Sequence, residues 1–197
     1  MKKTVLITGA SRGLGYQLSK KFEEEGHNVL KHLGKRDYDL NNQNEIEELA
    51  QKAKDCGVKV LINNAGILCP GIKFKDYSLK RINEFLDVNL RAPIVLMHIL
   101  KNELENIINI NSMVGLEVKR NRTLYSASKW GLRGFSNSLK MESEFLRILD
   151  VYVSRLVDDD ENNIKGLNTK NVSELIYDAY IKKENELILD GRNKNYT

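Results

Sequence analysis

Cysteine and proline are nearly absent from this chain, with two of each in 197 residues. Cys56 and Cys69 share no spacing that suits a metal site or a disulfide framework. A disulfide-stapled secreted scaffold is therefore not expected, and a reducing, cytoplasmic setting is. Long apolar runs are also lacking: none approaches the roughly 20 residues that span a bilayer, so no membrane partner is expected. The opening MKK resembles the basic part of a signal peptide, but only Val5–Ile7 follow as an apolar run before TGASRG, and export is not expected. Histidine is scarce too. His27, His32 and His98 share no ligand spacing, so no metal is expected, and His98 on an apolar helix face reads as a packed side chain. The net charge of +4 is spread along the chain and gives no nucleic-acid footprint. No internal repeat or low-complexity tract interrupts the sequence, and its length gives one domain, residues 1–197, with a full core.

What is present is an alternation of strand and helix. KTVLIT, residues 3–8, is a short run of β-formers that leads into GASRGLG and then the amphipathic YQLSKKFEEEG, closed by Gly26. In this strand, glycine turn and helix, Gly9 permits the tight turn, Gly13 lets the backbone approach a pyrophosphate, and Gly15 lets helix and strand pack closely. The spacing is G-x-x-x-G-x-G, not G-x-G-x-x-G. Such a turn can be purely structural, but after a buried strand and before a helix it reads as dinucleotide-binding.

The next strand, HNVLKHLG, ends where an acid would accept a ribose 2′-hydroxyl, and Leu33 and Gly34 stand there instead. Lys35 and Arg36 follow, and Arg12 lies in the glycine turn. These cations either border solvent or suit a 2′-phosphate, which favours NADP(H) over NAD(H). A short run YDL reads as a third strand, the helix NNQNEIEELAQKAKDCG ends at Gly57, and VKVLI is a wholly apolar strand followed by NNAG, residues 63–66. NNAG is either a plain turn or a cofactor-facing loop whose Ala65 and Gly66 admit a flat ligand. SLKRINEFLDV and NLRAPIVLMHILKNEL read as two helices, and Asn89 at their junction is either an N-cap or functional.

IININ then delivers Ser112 at a strand end, and after a loop carrying Lys119, Arg120 and Arg122 the chain enters a long helix with Tyr125 and Lys129 four apart on one face. A cation beside a phenol favours the phenolate, and a serine nearby can hold a substrate oxygen. The spacing alone is weak, since Tyr16 and Lys20 repeat it, but only Tyr125 has a serine thirteen residues upstream at a strand end. DVYVSRLV reads as one further strand, DDDENNIKGLNTKN as a polar linker, and VSELIYDAYIKK and ELILDG as a last helix and strand. The alternation implies a doubly wound, Rossmann-type α/β fold with a parallel sheet of about seven strands in the order 3-2-1-4-5-6-7.

In their order, these motifs make the chain resemble a classical-type, shortened short-chain dehydrogenase/reductase along nearly its whole length. TGASRGLG at 8–15 matches the family's TGxxxGxG turn, and Asp39 and Leu40 match a pair flanking the adenine. NNAG follows the fourth strand, and Asn89, Ser112, Tyr125 and Lys129 fall on the catalytic tetrad. The resemblance implies that Tyr125 exchanges the proton, Lys129 lowers its pKa and binds the nicotinamide ribose, Ser112 positions the carbonyl, and Asn89 holds a relaying water. Implied cofactor contacts are Thr8, Gly9, Ser11, Arg12, Gly13, Leu14, Gly15, Leu33, Gly34, Lys35, Asp39, Leu40, Asn64, Ala65 and Gly66, with Tyr125 and Lys129 shared. The implied activity is NADP-dependent hydride transfer to a small ketone or aldehyde, 3-oxoacyl compounds included. The alternative is a non-catalytic NADP(H)-binding sensor or scaffold. The family also implies a homodimer or homotetramer. Two departures stand out: Val157-Asp158 replaces the usual Pro-Gly pair, and the substrate lid, about 157–170, is abbreviated and expected to be a mobile loop.

Overall fold

Six short strands form one parallel sheet, and the chain is described here over residues 2–68, 71–143, 146–158 and 165–192 of a computed structural model. The strands of this sheet are β1 (Thr4–Thr8), β2 (Asn28–His32), β3 (Val58–Asn63), β4 (Asn106–Ser112), β5 (Arg147–Val153) and β8 (Glu186–Leu189). Their order is β2-β1-β3-β4-β5-β8, every pairing parallel. The helices are α1 (Gly13–Glu24), α2 (Gln43–Asp55), α3 (Leu79–Leu86), α4 (Ala92–Leu100), α5 (Thr123–Glu142) and α6 (Thr169–Lys182).

Alternate strand residues face opposite layers. Val5, Ile7, Val60, Ile62, Ile108, Leu149 and Val151 pack on α1 and α6 through Leu18, Phe22, Val172 and Ile176. Leu6, Leu61, Ile107 and Ile148 pack on α2, α4 and α5 through Ile46, Leu49, Leu96, Leu100 and Leu132. A sheet covered on both faces needs such unbroken apolar strands, and each buried Leu, Ile or Phe contributes ~1.5–3 kcal/mol.

The expected seven-strand order counted YDL as its edge strand, and the structure corrects this. Residues 33–41 form a turn, because local side chains take up its backbone groups. The Leu33 N–H donates to Asp37 Oδ2 (3.2 Å), the Asp39 N–H to Glu45 Oε2 (2.5 Å), and the Asn41 N–H to Asp39 Oδ1 (3.0 Å). Without that strand the expected and observed orders agree.

DVYVSRLV is also not one strand. β5 stops at Val153, and Leu156–Val157 (β6) pairs with Leu167–Asn168 (β7) in a separate two-stranded ribbon. Asn168 then caps α6, accepting the N–H groups of Lys170 and Asn171, so the helix begins three residues before the VSEL run. The expected lid thus includes a strand and a helix start at 167–170, while residues 159–164 lie outside the described residues. α3 and α4 are joined through a π-helical turn, Asp87–Arg91, and Asn89 sits within it instead of capping a helix. His98 faces solvent and is not packed.

Candidate active site

The carboxyl ends of β1, β2 and β3 meet at a stitched set of turns. Gly9 (φ +69°) and Gly13 (φ +56°) adopt a left-handed backbone that disfavours any side chain, and a Cβ on Gly15 would fall on the Gly9 carbonyl and the Asn64 amide. Thr8 Oγ1 accepts the N–H groups of Asn64 and Ala65 (3.0 Å each), while Asn64 Nδ2 donates to the carbonyls of Thr8 (2.9 Å) and Gly9 (3.0 Å). His32 completes the join. Its Nδ1 accepts from the Gly9 N–H (3.2 Å), which leaves Nε2–H to donate to the Tyr38 carbonyl (2.9 Å).

A cleft of about 750 Å³ runs from this turn across the strand ends to α5. Gly9, Ser11, Arg12, Gly13, Leu14, Gly15, Gly34, Lys35, Asp39, Leu40, Asn64, Ala65, Gly66, Tyr125 and Lys129 all border it. Thr8 and Leu33 do not: Thr8 is buried beneath the turn with its hydroxyl fully engaged, and Leu33 is 54% exposed. Val157, Asp158 and Thr169 of the expected lid segment also line it, as do His32, Tyr38, Asn41, Ile67, Leu68, Val88, Ile110, Asn111, Val153 and Leu156, which sequence reasoning did not flag as site residues. Several of these sit at a strand end or one to four residues beyond it, which is the signal that could have found them.

Charge at the β2 end is mixed. Lys35 is paired with Asp39 (2.9 Å), whereas no acid pairs with Arg12 among the described residues. Burial pushes the Asp39 carboxyl up, but the Asn41 N–H and the Lys35 ammonium outweigh it and hold it below its usual range. The sequence reading found no acid at this strand end, yet the Asp37 carboxylate folds back onto the Leu33 N–H there.

β4 and α5 bring the serine, tyrosine and lysine together. The Ser112 hydroxyl acts on the Tyr125 phenol and favours its ionised form, and Lys129 Nζ lies 5.8 Å from the Tyr125 ring centre, donating to the Ile110 carbonyl (2.9 Å). Ser112 is buried and does not itself border the cleft. Asn89, also buried and off the cleft, uses its whole amide on Ile67: it accepts the Ile67 N–H (2.7 Å) and donates to the Ile67 carbonyl (3.0 Å).

Burial dominates the ionisation of both the phenol and the ammonium. Burial pushes the Tyr125 phenol above its ordinary value of 10, and the opposing influences are the Ser112 hydrogen bond and the Arg122 charge. Burial also brings the Lys129 ammonium down to about 8. The cation that lowers the phenol in this structure is Arg122, while Lys129 still carries most of its charge at neutral pH. Among the described residues, no cluster of three His, Cys, Asp or Glu stands where it could hold a metal, and no helix is long and apolar enough to cross a membrane.

Comparison with known proteins identifies the family and the fold. The family profile described as short chain dehydrogenase matches residues 31–153. "Ketoacyl reductase HetN" of Nostoc sp. is 32% identical over 167 residues, 71% of this chain and 58% of that protein. "3-oxoacyl-[acyl-carrier-protein] reductase FabG" of Buchnera aphidicola is 31% identical over 72% of this chain and 67% of its own length. The chain thus spans about six tenths to two thirds of these relatives. Among solved structures, the bulky-bulky ketone specific alcohol dehydrogenase from Comamonas testosteroni superposes with a TM-score of 0.84 at 22% identity, covering 94% of this chain and 85% of that one. A short-chain dehydrogenase from Sphingobium yanoikuyae in complex with NADPH gives 0.80 at 20% identity, covering 94% and 87%. At those identities the superpositions speak for the fold, while the family profile covers more than half of the sequence: the chain belongs to the short-chain dehydrogenase family.

Proposed function

We propose that this protein is an NADP(H)-dependent oxidoreductase that reduces the carbonyl of a small ketone or aldehyde, 3-oxoacyl compounds included. The observation that carries the reading is that Tyr125 and Lys129 stand together at one border of a cleft that starts at the glycine turn, with Ser112 buried behind that border at the end of β4. The residues fit a dinucleotide. Three glycines keep the turn bare, α1 opens on it with its N-terminal N–H groups, and Arg12, unpaired among the described residues, offers a cation for a 2′-phosphate. Ala65 and Gly66 leave room for a flat ring system. NADPH-bound neighbours and ketoacyl reductase relatives support the same cofactor and substrate class.

When bound, the reduced nicotinamide supplies the hydride. The chain supplies the proton. A phenol held above 10 is protonated at neutral pH, so Tyr125 is poised as a general acid that donates its O–H to the carbonyl oxygen as that oxygen gains charge. The Ser112 hydroxyl, behind the cleft border and acting on the phenol, would share a hydrogen bond with that oxygen once a substrate reaches it. Lys129, close to its titration point near neutrality, is placed to hold a ribose hydroxyl and to return a proton to the phenolate. Asn89 fixes the Ile67 backbone at the cleft wall.

The test is NADPH oxidation, followed by absorbance, with diketones, aldehydes and acetoacetyl thioesters, run beside NADH. Turnover with an NADPH preference is expected. Tyr125→Phe should lower kcat ~10²- to 10⁴-fold with little change in NADPH affinity. Tight NADPH binding with no turnover on any of these would point to the sensor instead.

A further inference from the structure

β4 ends with three consecutive residues that each hold α5. The Ile110 carbonyl accepts from Lys129 Nζ (2.9 Å), Asn111 Nδ2 donates to the Lys129 main-chain carbonyl (3.1 Å), and the Ser112 hydroxyl acts on the Tyr125 phenol, favouring its ionised form. The middle residue does more than its neighbours, because Asn111 Oδ1 also accepts the Ser112 N–H (2.9 Å). Both ends of one amide are therefore committed, on a side chain that is 1% exposed yet borders the cleft. Gly115 makes room for it. A Cβ there would stand 2.9 Å from Asn111 Oδ1 and 3.2 Å from the Lys129 carbonyl.

We propose that Asn111 is a positioning residue for the reaction, its amide bridging the Ser112 and Lys129 main chains and thereby fixing the hydroxyl and the ammonium that flank Tyr125. The inference rests on the Ser112, Tyr125, Lys129 reading above. The chemistry of the position is selective. Aspartate would keep the acceptor for Ser112 but turn an oxygen onto the Lys129 carbonyl, serine falls short of one partner, and glutamine is a methylene too long for the space beside Gly115. Of the side chains that carry a donor and an acceptor on one rigid group, asparagine alone matches this reach. Small displacements of groups that must meet one carbonyl are costly in rate, up to ~10²-fold for about 1 Å.

The experiment compares wild type, Asn111→Ala, Asn111→Ser, Tyr125→Phe, Lys129→Ala and the double variant Asn111→Ala/Lys129→Ala in NADPH-linked ketone reduction, with thermal melting and NADPH titration on each. Expected is a fall in kcat of ~10- to 100-fold for Asn111→Ala, with the ketone KM and the NADPH affinity within about threefold and a cooperative melt retained. The double variant should be clearly less than additive relative to the two single variants, because part of the amide's effect acts through that lysine. A merely structural asparagine would instead lower the melting temperature and leave kcat unchanged well below it. Full additivity in the double variant, or kcat within about threefold of wild type for both Asn111 variants, overturns the inference. Failure of both Asn111 variants to fold overturns it as well. Should Tyr125→Phe retain turnover, the reaction reading itself falls and this inference with it; Tyr125→Phe dead beside fully active Asn111 variants removes this inference alone.

Discussion

Lys129 carries the clearest pH signature in the protein. It is buried, its ammonium held by one carbonyl, and burial lowers its titration point from 10.5 to about 8. Between these values the unfolded chain binds a proton that the folded chain does not, so stability rises with pH across that window, and the cost of the buried charge is fully present below it. The gap corresponds to ~3 kcal/mol. Lys129→Met removes the titrating group at similar length, so wild type should gain ~3 kcal/mol relative to this variant between pH 7 and 10.5, measured by urea unfolding at each pH. A difference that stays flat would show that Lys129 is charged and compensated in the fold. At the other end of the cleft, Arg12 borders the cleft with no acid paired to it among the described residues, whereas Lys35 is occupied by Asp39. Arg12→Ala should therefore weaken NADPH binding about tenfold and NADH binding much less. Equal losses in the two titrations would remove Arg12 from 2′-phosphate recognition. The sequence located Tyr125 and Lys129 by spacing, but not the order in which they titrate, because that order is set by burial and burial is a property of the packed whole.

The turn between β1 and α1 was legible because its requirements are local: only glycine tolerates both the left-handed backbone and the closeness of Asn64. Two of its glycines can be separated by experiment. Gly13→Ala meets open space but strains a positive φ, so it should cost ~1–2 kcal/mol in urea unfolding with a modest change in NADPH affinity. Gly15→Ala has an ordinary φ but drives a methyl into main-chain atoms of the Gly9 turn, so NADPH affinity should fall more than tenfold. If both variants bind NADPH like wild type, the turn does not form the cofactor cradle. YDL was misread because three β-forming residues say nothing about competing partners, and the Asp37, Glu45 and Asp39 side chains capture that backbone first. DVYVSRLV was misread as continuous because the break after Val153 comes from a distant pairing, Leu156–Val157 with Leu167–Asn168. His98 followed an apolar periodicity that continues past the edge of the covered face.

The sheet and its helices are also joined by a buried polar network that apolar patterning passes over. Asp150 on β5, with no exposed surface, accepts from Ser136 Oγ (2.6 Å to the nearer oxygen), Asn109 Nδ2 (3.2 Å) and Lys140 Nζ (2.7 Å). Asn63 Nδ2 on β3 continues the chain to Asn109 Oδ1 (2.9 Å), and Lys140 reaches the Asn185 carbonyl ahead of β8 (2.9 Å). Three neighbouring strands, α5 and the entry to the last strand are thus linked through one carboxylate. Its sequence trace was there to read: Asn63, Asn109 and Asp150 are polar residues inside otherwise apolar strands, on the face that meets α5. In a low-dielectric interior such a set is stabilising only while complete, and removing its hub leaves several donors without an acceptor. Asp150→Ala should therefore cost ~3–5 kcal/mol, the range for breaking a buried pair. In a chain of this length that is a fall in melting temperature of roughly 6–20 °C. Ser136→Ala alone should cost ~1–2 kcal/mol. Added to Asp150→Ala it should cost almost nothing more, since the serine's partner is already gone. A loss below about 1 kcal/mol for Asp150→Ala, or full additivity with Ser136→Ala, would mean that α5 is seated by its apolar face alone. The helix that presents Tyr125 and Lys129 would then owe nothing to the carboxylate beneath it.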